Sequence, residues 1–233
     1  MNSFASAQYN RDTPTALPFS RVRGQKLSAE DLYSQIFDAI LDQRIDSASR
    51  FTEDSLGQMF GAGRSEIRRV LVRLYHEQVV ILRPNHRPRI AAPTCEQTRQ
   101  VLHARRLAET TLVQLAGQHH RPGDLNTLRD LIDEQRKYQD RGQRGPAIRL
   151  SGEFHLQLAS MAGNNPLANF IGSLVPLTSL AIARFATNIE GYCCWRRQAA
   201  IVDALEQTEI ATAVRLINQH LDEIEQSLVS TQQ

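Results

Sequence analysis

Seven arginines fall between Arg64 and Arg89, and only Glu66 and Glu77 oppose them within that stretch. Four of these, Arg64, Arg68, Arg69 and Arg73, interleave with Ile67, Val70, Leu71 and Leu74, which recur at helical spacing. Arg64 and Arg68 lie four residues apart and therefore share a helix face. A guanidinium is a planar fork of donors that fits phosphate oxygens and the edge of guanine, so nucleic acid is the first chemistry to consider. The competing reading is an ordinary solvated helix whose charged face is only surface. Further along, His155 and His220 offer imidazoles, and Arg184 is a cation within an otherwise apolar stretch. Glu109 follows Arg105 and Arg106 at spacings that allow an ion pair along one helix. Cys193 and Cys194 are adjacent thiols, and packing is the plainer reading of them than redox sensing.

The composition narrows the field. The chain has 233 residues, enough for one or two domains, with 41% hydrophobic and 22% charged residues, as in a globular protein. Its net charge of +2 is unevenly spread: residues 1–93 carry 13 Lys and Arg against 10 acids, and residues 94–233 carry 14 against 15. The longest apolar run, Ile171 to Ala183, is broken by Ser173, Pro176, Thr178 and Ser179, which argues against a membrane span. The first residues lack the apolar core of a secretory signal. Three cysteines without metal-ligand spacing suit a reducing compartment, so a cytoplasmic location is expected.

The elements that must hold these residues can be read from punctuation and period. Residues 1–26 are polar, carry Pro14, Pro18 and Gly24, and read as a flexible arm. Ser28 caps a helix over about 29–42, with Leu32, Ile36 and Ile40 on its buried side. Thr52 caps a short second helix with Leu56, Met59 and Phe60 turned inward. Gly61 and Gly63 break it, and the arginine-bearing helix follows. Val79 to Arg83, the polar turn Pro84 to Pro88, and Arg89 to Ala91 form a small β-hairpin. Three helices plus a hairpin over 27–92 make a winged helix-turn-helix. From Pro93 onward all is helix: Thr94 and Gln97 form a capping box, and breaks at Pro122-Gly123, Gly142 to Pro146 and Gly163 to Pro166 divide about six helices. The expected fold is mostly α, an N-terminal winged helix-turn-helix joined to an all-α bundle over 93–233.

The ordered run Gly61-Ala62-Gly63-Arg64-Ser65-Glu66-Ile67-Arg68-Arg69-Val70-Leu71 resembles the turn and recognition helix of the GntR family of bacterial transcription regulators. The likeness continues through Arg73-Leu74 and the wing Arg83 to Arg87. It then reaches Arg106 and Glu109, Phe154-His155, Gly163 to Pro166, Ile201 to Glu206, and His220-Leu221. These are landmarks of the FadR subfamily and its helical, effector-sensing FCD domain. Gly63 stands where the family has a serine cap, Arg69 where it has an acid, and the wing glycine of the family falls near Arg87.

The resemblance implies a homodimer on a near-palindromic stretch of double-stranded DNA, with Arg64, Ser65, Glu66, Arg68, Arg69 and Arg73 on the recognition helix and Asn85, His86 and Arg87 at the wing tip. Ile67, Val70 and Leu71 belong to the core. Many FCD domains hold a divalent metal such as Zn, Ni or Mn through an Asp, a His four residues later, and two further His. Here those positions are Ser151, His155, Gln198 and His220, a poor cage because Ser and Gln bring no charge. The resemblance therefore favours a metal-free pocket in which Arg106, His155, Arg184, Gln198 and His220 hold a small carboxylate effector. Two alternatives remain: a DNA-binding regulator whose bundle only dimerises, and a hydrolytic enzyme, for which no nucleophile–base pair or Gly-rich phosphate loop is present.

Overall fold

The computed structural model describes residues 28–121, 123–186 and 195–229. The N-terminal arm, Cys193 and Cys194 lie outside the described residues. The described residues are mostly helical, with one two-stranded antiparallel sheet among them. Helix α1 (Ala29–Leu41) opens on a reciprocal capping box between Ser28 and Asp31. Helix α2 (Glu53–Phe60) opens on Thr52 and Ser55, and ends at Gly61, whose φ of 67° is open to glycine at no steric cost. Helix α3 (Arg64–His76) starts three residues later. Strands β1 (Val80–Ile81) and β2 (Arg89–Ile90) pair with Val80 opposite Ile90 and Ile81 opposite Arg89. Met59 departs from expectation, being 48% exposed. In so short a helix the buried stripe is only Leu56 and Phe60, one turn apart, and Met59 lies beside it.

Six helices follow among the described residues: α4 (Cys95–His119), α5 (Asp124–Asp140), α6 (Arg144–Met161), α7 (Asn165–Phe185), α8 (Trp195–Glu206) and α9 (Ile210–Val229). Thr94 and Gln97 cap α4 as expected. Helix α6 begins two residues before Pro146, which occupies its third position, where a missing N–H costs nothing. Helix α7 is long and apolar enough to cross a membrane, with mean hydropathy 1.5. Here it is a core helix, with Ile171, Val175, Leu180 and Ala183 buried within the fold.

The apolar interior of α1–α3 and the hairpin does not stop at Pro93. It is continuous with Leu102, Ile148, Leu180, Ile182, Leu221 and Ile224 of the bundle. A second cluster fills the bundle further out, around Leu112, Leu128, Phe154, Ile201 and Ile217. Polar bonds fasten the same seam. Arg149 of α6 donates from Nε to Asp38 of α1 at 2.7 Å, and the Gly145 amide donates to Asp42 at 2.6 Å. A Cβ on Gly145 would stand 2.5 Å from the Asp38 carbonyl oxygen, so this close approach of α1 to α6 requires glycine. The Arg144 guanidinium donates to the carbonyls of Ile182, Ala183 and Ala186, which closes the C-terminal end of α7.

Candidate functional site

Two groupings of polar side chains stand out, one exposed and one buried. In the first, Arg64, Ser65, Arg68 and Arg69 project from the N-terminal half of α3 into solvent, while Ile67, Val70 and Leu71 are buried beneath them. The hairpin turn comes up beside that face. Together Arg64, Arg68, Arg83, Asn85, His86 and Arg87 border a cleft of about 560 Å³. Asn85 takes the left-handed conformation (φ 60°) that tightens the wing tip, so the turn is made two residues before the expected position near Arg87. His86 Nδ1 sits 2.8 Å from the Pro84 carbonyl oxygen and braces the same turn.

The arginines of this face hold only loose partners. Arg64 donates to Asp54 at 2.8 Å and lies 3.7 Å from Glu53, and Arg68 lies 3.6 Å from Glu53, all partly or largely in water. Exposed pairs of this kind contribute about 0–1 kcal/mol and exchange readily for phosphate. Glu66 and Arg73 also have partners within the chain. The Glu66 carboxylate accepts the Gly63 amide at 2.8 Å, the half of a capping box that needs no side chain at Gly63. Arg73 is turned back into the protein: it donates to Glu30 at 2.7 Å and Glu77 at 3.0 Å, and lies 3.5 Å above the ring of Tyr33. Two turns beyond Arg64, its side chain meets α1, which explains its capture.

The second grouping lies in the bundle, where α4, α6, α8 and α9 meet. Arg105 Nε donates to Glu109 Oε1 at 2.6 Å, and Glu109 Oε2 accepts from His155 Nδ1 at 2.6 Å. His155 stacks on His220, with ring centroids 5.3 Å apart and planes 11° from parallel. Gln198 donates from Nε2 to the Ser151 carbonyl oxygen at 3.2 Å and to Ser151 Oγ at 3.1 Å. All six side chains are buried. Burial pushes Glu109 up, but Arg105 and His155 outweigh it and hold its pKa at about 2. It is therefore a carboxylate, and His155 carries its proton on Nδ1. Burial lowers the pKa of both histidines, that of His220 furthest, with His155 and Arg105 adding to the effect on it.

The four positions Ser151, His155, Gln198 and His220 thus do meet in one place, but Arg106 and Arg184 do not join them. Arg106 points away and pairs with Asp222 and Glu225 of α9, and Arg184 is exposed beside Phe185. Arg105 occupies the inner position because it shares the buried stripe of Leu102, Glu109 and Leu112. The centre is also incomplete in its bonding: Arg105 Nη2, Gln198 Oε1 and both ring nitrogens of His220 are buried without a hydrogen-bond partner. Gln135, fully buried on α5 with both amide atoms unpaired, went unrecognised in the sequence. Its only signal was a polar residue at helical spacing from Leu128 and Ile132.

A metal does not suit this arrangement. His155 Nδ1 is taken by Glu109, which leaves only Nε2 of that ring to bind an ion, and Ser151 and Gln198 add no charge. Glu109 is held by Arg105, and Ser151 Oγ accepts from Gln198. Among the described residues there is no group of three or more His, Cys, Asp or Glu placed to hold a metal ion.

Comparison with known proteins follows this division. The FCD domain profile matches residues 100–223, the part that contains the buried centre. Among solved structures, Escherichia coli McbR/YncC superposes with a TM-score of 0.72 at 16% identity, covering 89% of this chain and 100% of its own. A putative GntR transcriptional regulator from Rhodococcus sp. RHA1 gives 0.69 at 19% identity, covering 88% of this chain and 99% of its own. No curated protein sequence matches the chain. With the profile spanning more than half of its residues, the chain belongs to the FCD-domain family, and it is built on the fold of GntR-type transcription regulators.

Proposed function

We propose that this chain is a cytoplasmic, sequence-specific DNA-binding transcription regulator of the FadR subfamily, a repressor that binds a near-palindromic operator as a homodimer. Residues 27–92 act as the winged helix-turn-helix head, and residues 93–233 as the effector-binding and dimerisation domain. The observation that carries this reading is the convergence of Arg64 and Arg68 with the wing residues Asn85, His86 and Arg87 around one open cleft. Family membership and fold point to a regulator, not an enzyme. The N-terminal end of α3 enters the major groove, where Arg64 or Arg68 reads guanine, Ser65 and Arg69 meet phosphate, and the wing reaches the neighbouring minor groove. A two-fold dimer on a two-fold site follows from the symmetry of such heads.

The bundle takes its effector directly, without a metal. The unpaired Arg105 Nη2 favours a carboxylate, and Gln198 Oε1 with the two nitrogens of His220 favours one that also carries a hydroxyl or amide group. Arg105 replaces Arg106 in this role.

Selection of bound duplexes from a random-sequence pool, with the full-length protein, tests the DNA reading. A two-fold symmetric site should emerge, and its affinity should fall with salt at a log–log slope of about −7 if eight phosphates are neutralised. A pool that shows no enriched sequence would sink the proposal. Metal content near zero per chain, on protein purified without chelator, is the expected companion result. One equivalent would mean that His155 and His220 recruit further ligands to form a metal site.

A further inference from the structure

A cleft of about 350 Å³ lies where α1 and α3 meet α5, α6 and α7, well apart from the wing cleft and outside the buried centre. Its floor is apolar, formed by Phe37, Leu131, Leu156, Val175 and Pro176. That volume falls within the range of small-molecule pockets. Two guanidiniums border it, and their states differ. Arg149 has given its Nε and both terminal nitrogens to Asp38 and Glu153. Arg73 is held on one side by Glu77, which is largely buried, and on the other by Glu30, whose side chain is 67% exposed. The Tyr33 ring 3.5 Å beneath it fixes the guanidinium plane. Arg73 is thus a pre-oriented cation with one fixed and one exchangeable carboxylate, at the rim of an apolar hollow.

We propose that this junction is a second small-molecule site, which takes an organic monoanion with an aromatic or branched apolar body. The body fills the hollow against Phe37, Leu156 and Val175, and the anionic group displaces Glu30 from Arg73. Exchange is cheap because the Arg73–Glu30 pair is exposed, whereas the Arg73–Glu77 pair remains to hold the guanidinium in place. The walls belong to α1 and α3 on one side and to the bundle on the other, so an occupant bears on the placement of α3. That last consequence rests on the proposed DNA-reading role of α3, but occupancy of the cleft does not.

The test uses the full-length protein and anilinonaphthalene sulfonate, an aromatic monoanion whose fluorescence rises in apolar surroundings. It should bind saturably at one equivalent. Leu156→Trp, which fills the hollow, should abolish binding while the thermal midpoint and helical circular dichroism are kept. Should Leu156→Trp unfold the chain, Leu131→Trp carries the same expectation. Glu30→Gln removes the competing carboxylate and should tighten the probe roughly three- to fivefold, the fold-change of one exposed ion pair. Uncharged phenylnaphthylamine should bind with the same affinity to wild type and Glu30→Gln. Binding that does not saturate, or survives the tryptophan variants, or is not tightened by Glu30→Gln, overturns the proposal. His220→Gln should leave probe binding unchanged. If His220→Gln removes it, the probe sits in the buried centre, and the junction site falls while the effector reading stands. If the probe behaves as expected but no DNA sequence is selected, the junction site stands and the regulator reading falls.

Discussion

Arginine does opposite work in the two halves of this molecule. On α3 the guanidiniums of Arg64 and Arg68 stand in water, 69% and 75% exposed, with carboxylate partners at up to 3.7 Å. In the bundle Arg105 is 2% exposed and bonded to an equally buried Glu109 at 2.6 Å. An exposed charge keeps its hydration, so its partner can be exchanged for a phosphate with little lost. A buried charge has given up that hydration, and every hydrogen-bonding atom it carries must be answered within the fold or by something that enters. Arg64 and Arg68 can therefore give up their ion pairs, whereas Arg105 depends on its own.

The comparison breaks most sharply at Glu109. Glu109→Gln leaves Arg105 a buried cation without a counter-charge and takes the anionic acceptor from His155 Nδ1. Breaking such a pair costs about 3–5 kcal/mol, and chemical denaturation should show a loss of that size. A loss under about 1 kcal/mol would mean that water reaches the centre and that Arg105 is not desolvated.

Arg64→Ala and Arg68→Ala should do the reverse. Neither removes buried contacts, so stability should stay within about 0.5 kcal/mol of wild type. Affinity for the selected DNA site should fall by about 1–3 kcal/mol for whichever arginine reads a guanine, with discrimination at that base relaxed. The other should weaken binding to all sequences alike and reduce the salt slope by about one. Equal, sequence-independent losses from both would assign them to phosphate alone.

Acid should find the bundle before the head. His155 and His220 are held below their ordinary value of 6.5, chiefly by burial, so the folded state resists protons that the unfolded chain accepts. Stability is then complete above about pH 6.5 and falls as pH drops below it. The slope is about 1.4 kcal/mol per pH unit for each histidine that stays neutral. Glu109, lowered to about 2, loses its contribution further down, as pH falls from 4.5 toward that value. Asp38 and Glu77 oppose this trend, because burial raises their pKa values above the unfolded ones. The informative quantity is consequently a difference: His220→Gln should flatten the fall in thermal midpoint between pH 7.5 and 5.5 relative to wild type. Parallel curves would show that His220 does not titrate between the two states.

Much of this architecture was legible because it is set locally. Ser28, Thr52 and Thr94 mark helix starts by side-chain to backbone hydrogen bonds that involve only the next three residues. The exposed arginines were legible for the same reason, since the Ile67, Val70 and Leu71 stripe fixes which way they face. What local pattern does not report is set by partners distant in sequence. Arg73 looked like its neighbours until Glu30 and Tyr33 of α1 claimed it. Likewise, the continuity of core across Pro93 comes from α1 lying on α6 and α7, and no local pattern reports that.

The choice between Arg105 and Arg106 is the sharpest case, and it yields the prediction with the smallest expected effect. Measured from Leu102, Arg105 is three residues on and Arg106 four, and both spacings return to the same helix face. Only the packing of α4 against α6 and α9 turns Arg105 inward and leaves Arg106 beside Asp222 and Glu225 at the edge. Arg106→Ala should thus cost about 1 kcal/mol or less, as a partly exposed pair does, and should leave effector binding intact. Arg105→Ala beside it should destabilise the fold and abolish a carboxylate-induced rise in thermal midpoint. If the Arg106 variant instead lost that ligand response at unchanged stability, the inner and outer roles would be reversed. The ligand would then lie on the α4–α9 edge, and the unpaired atoms at the centre would need another explanation.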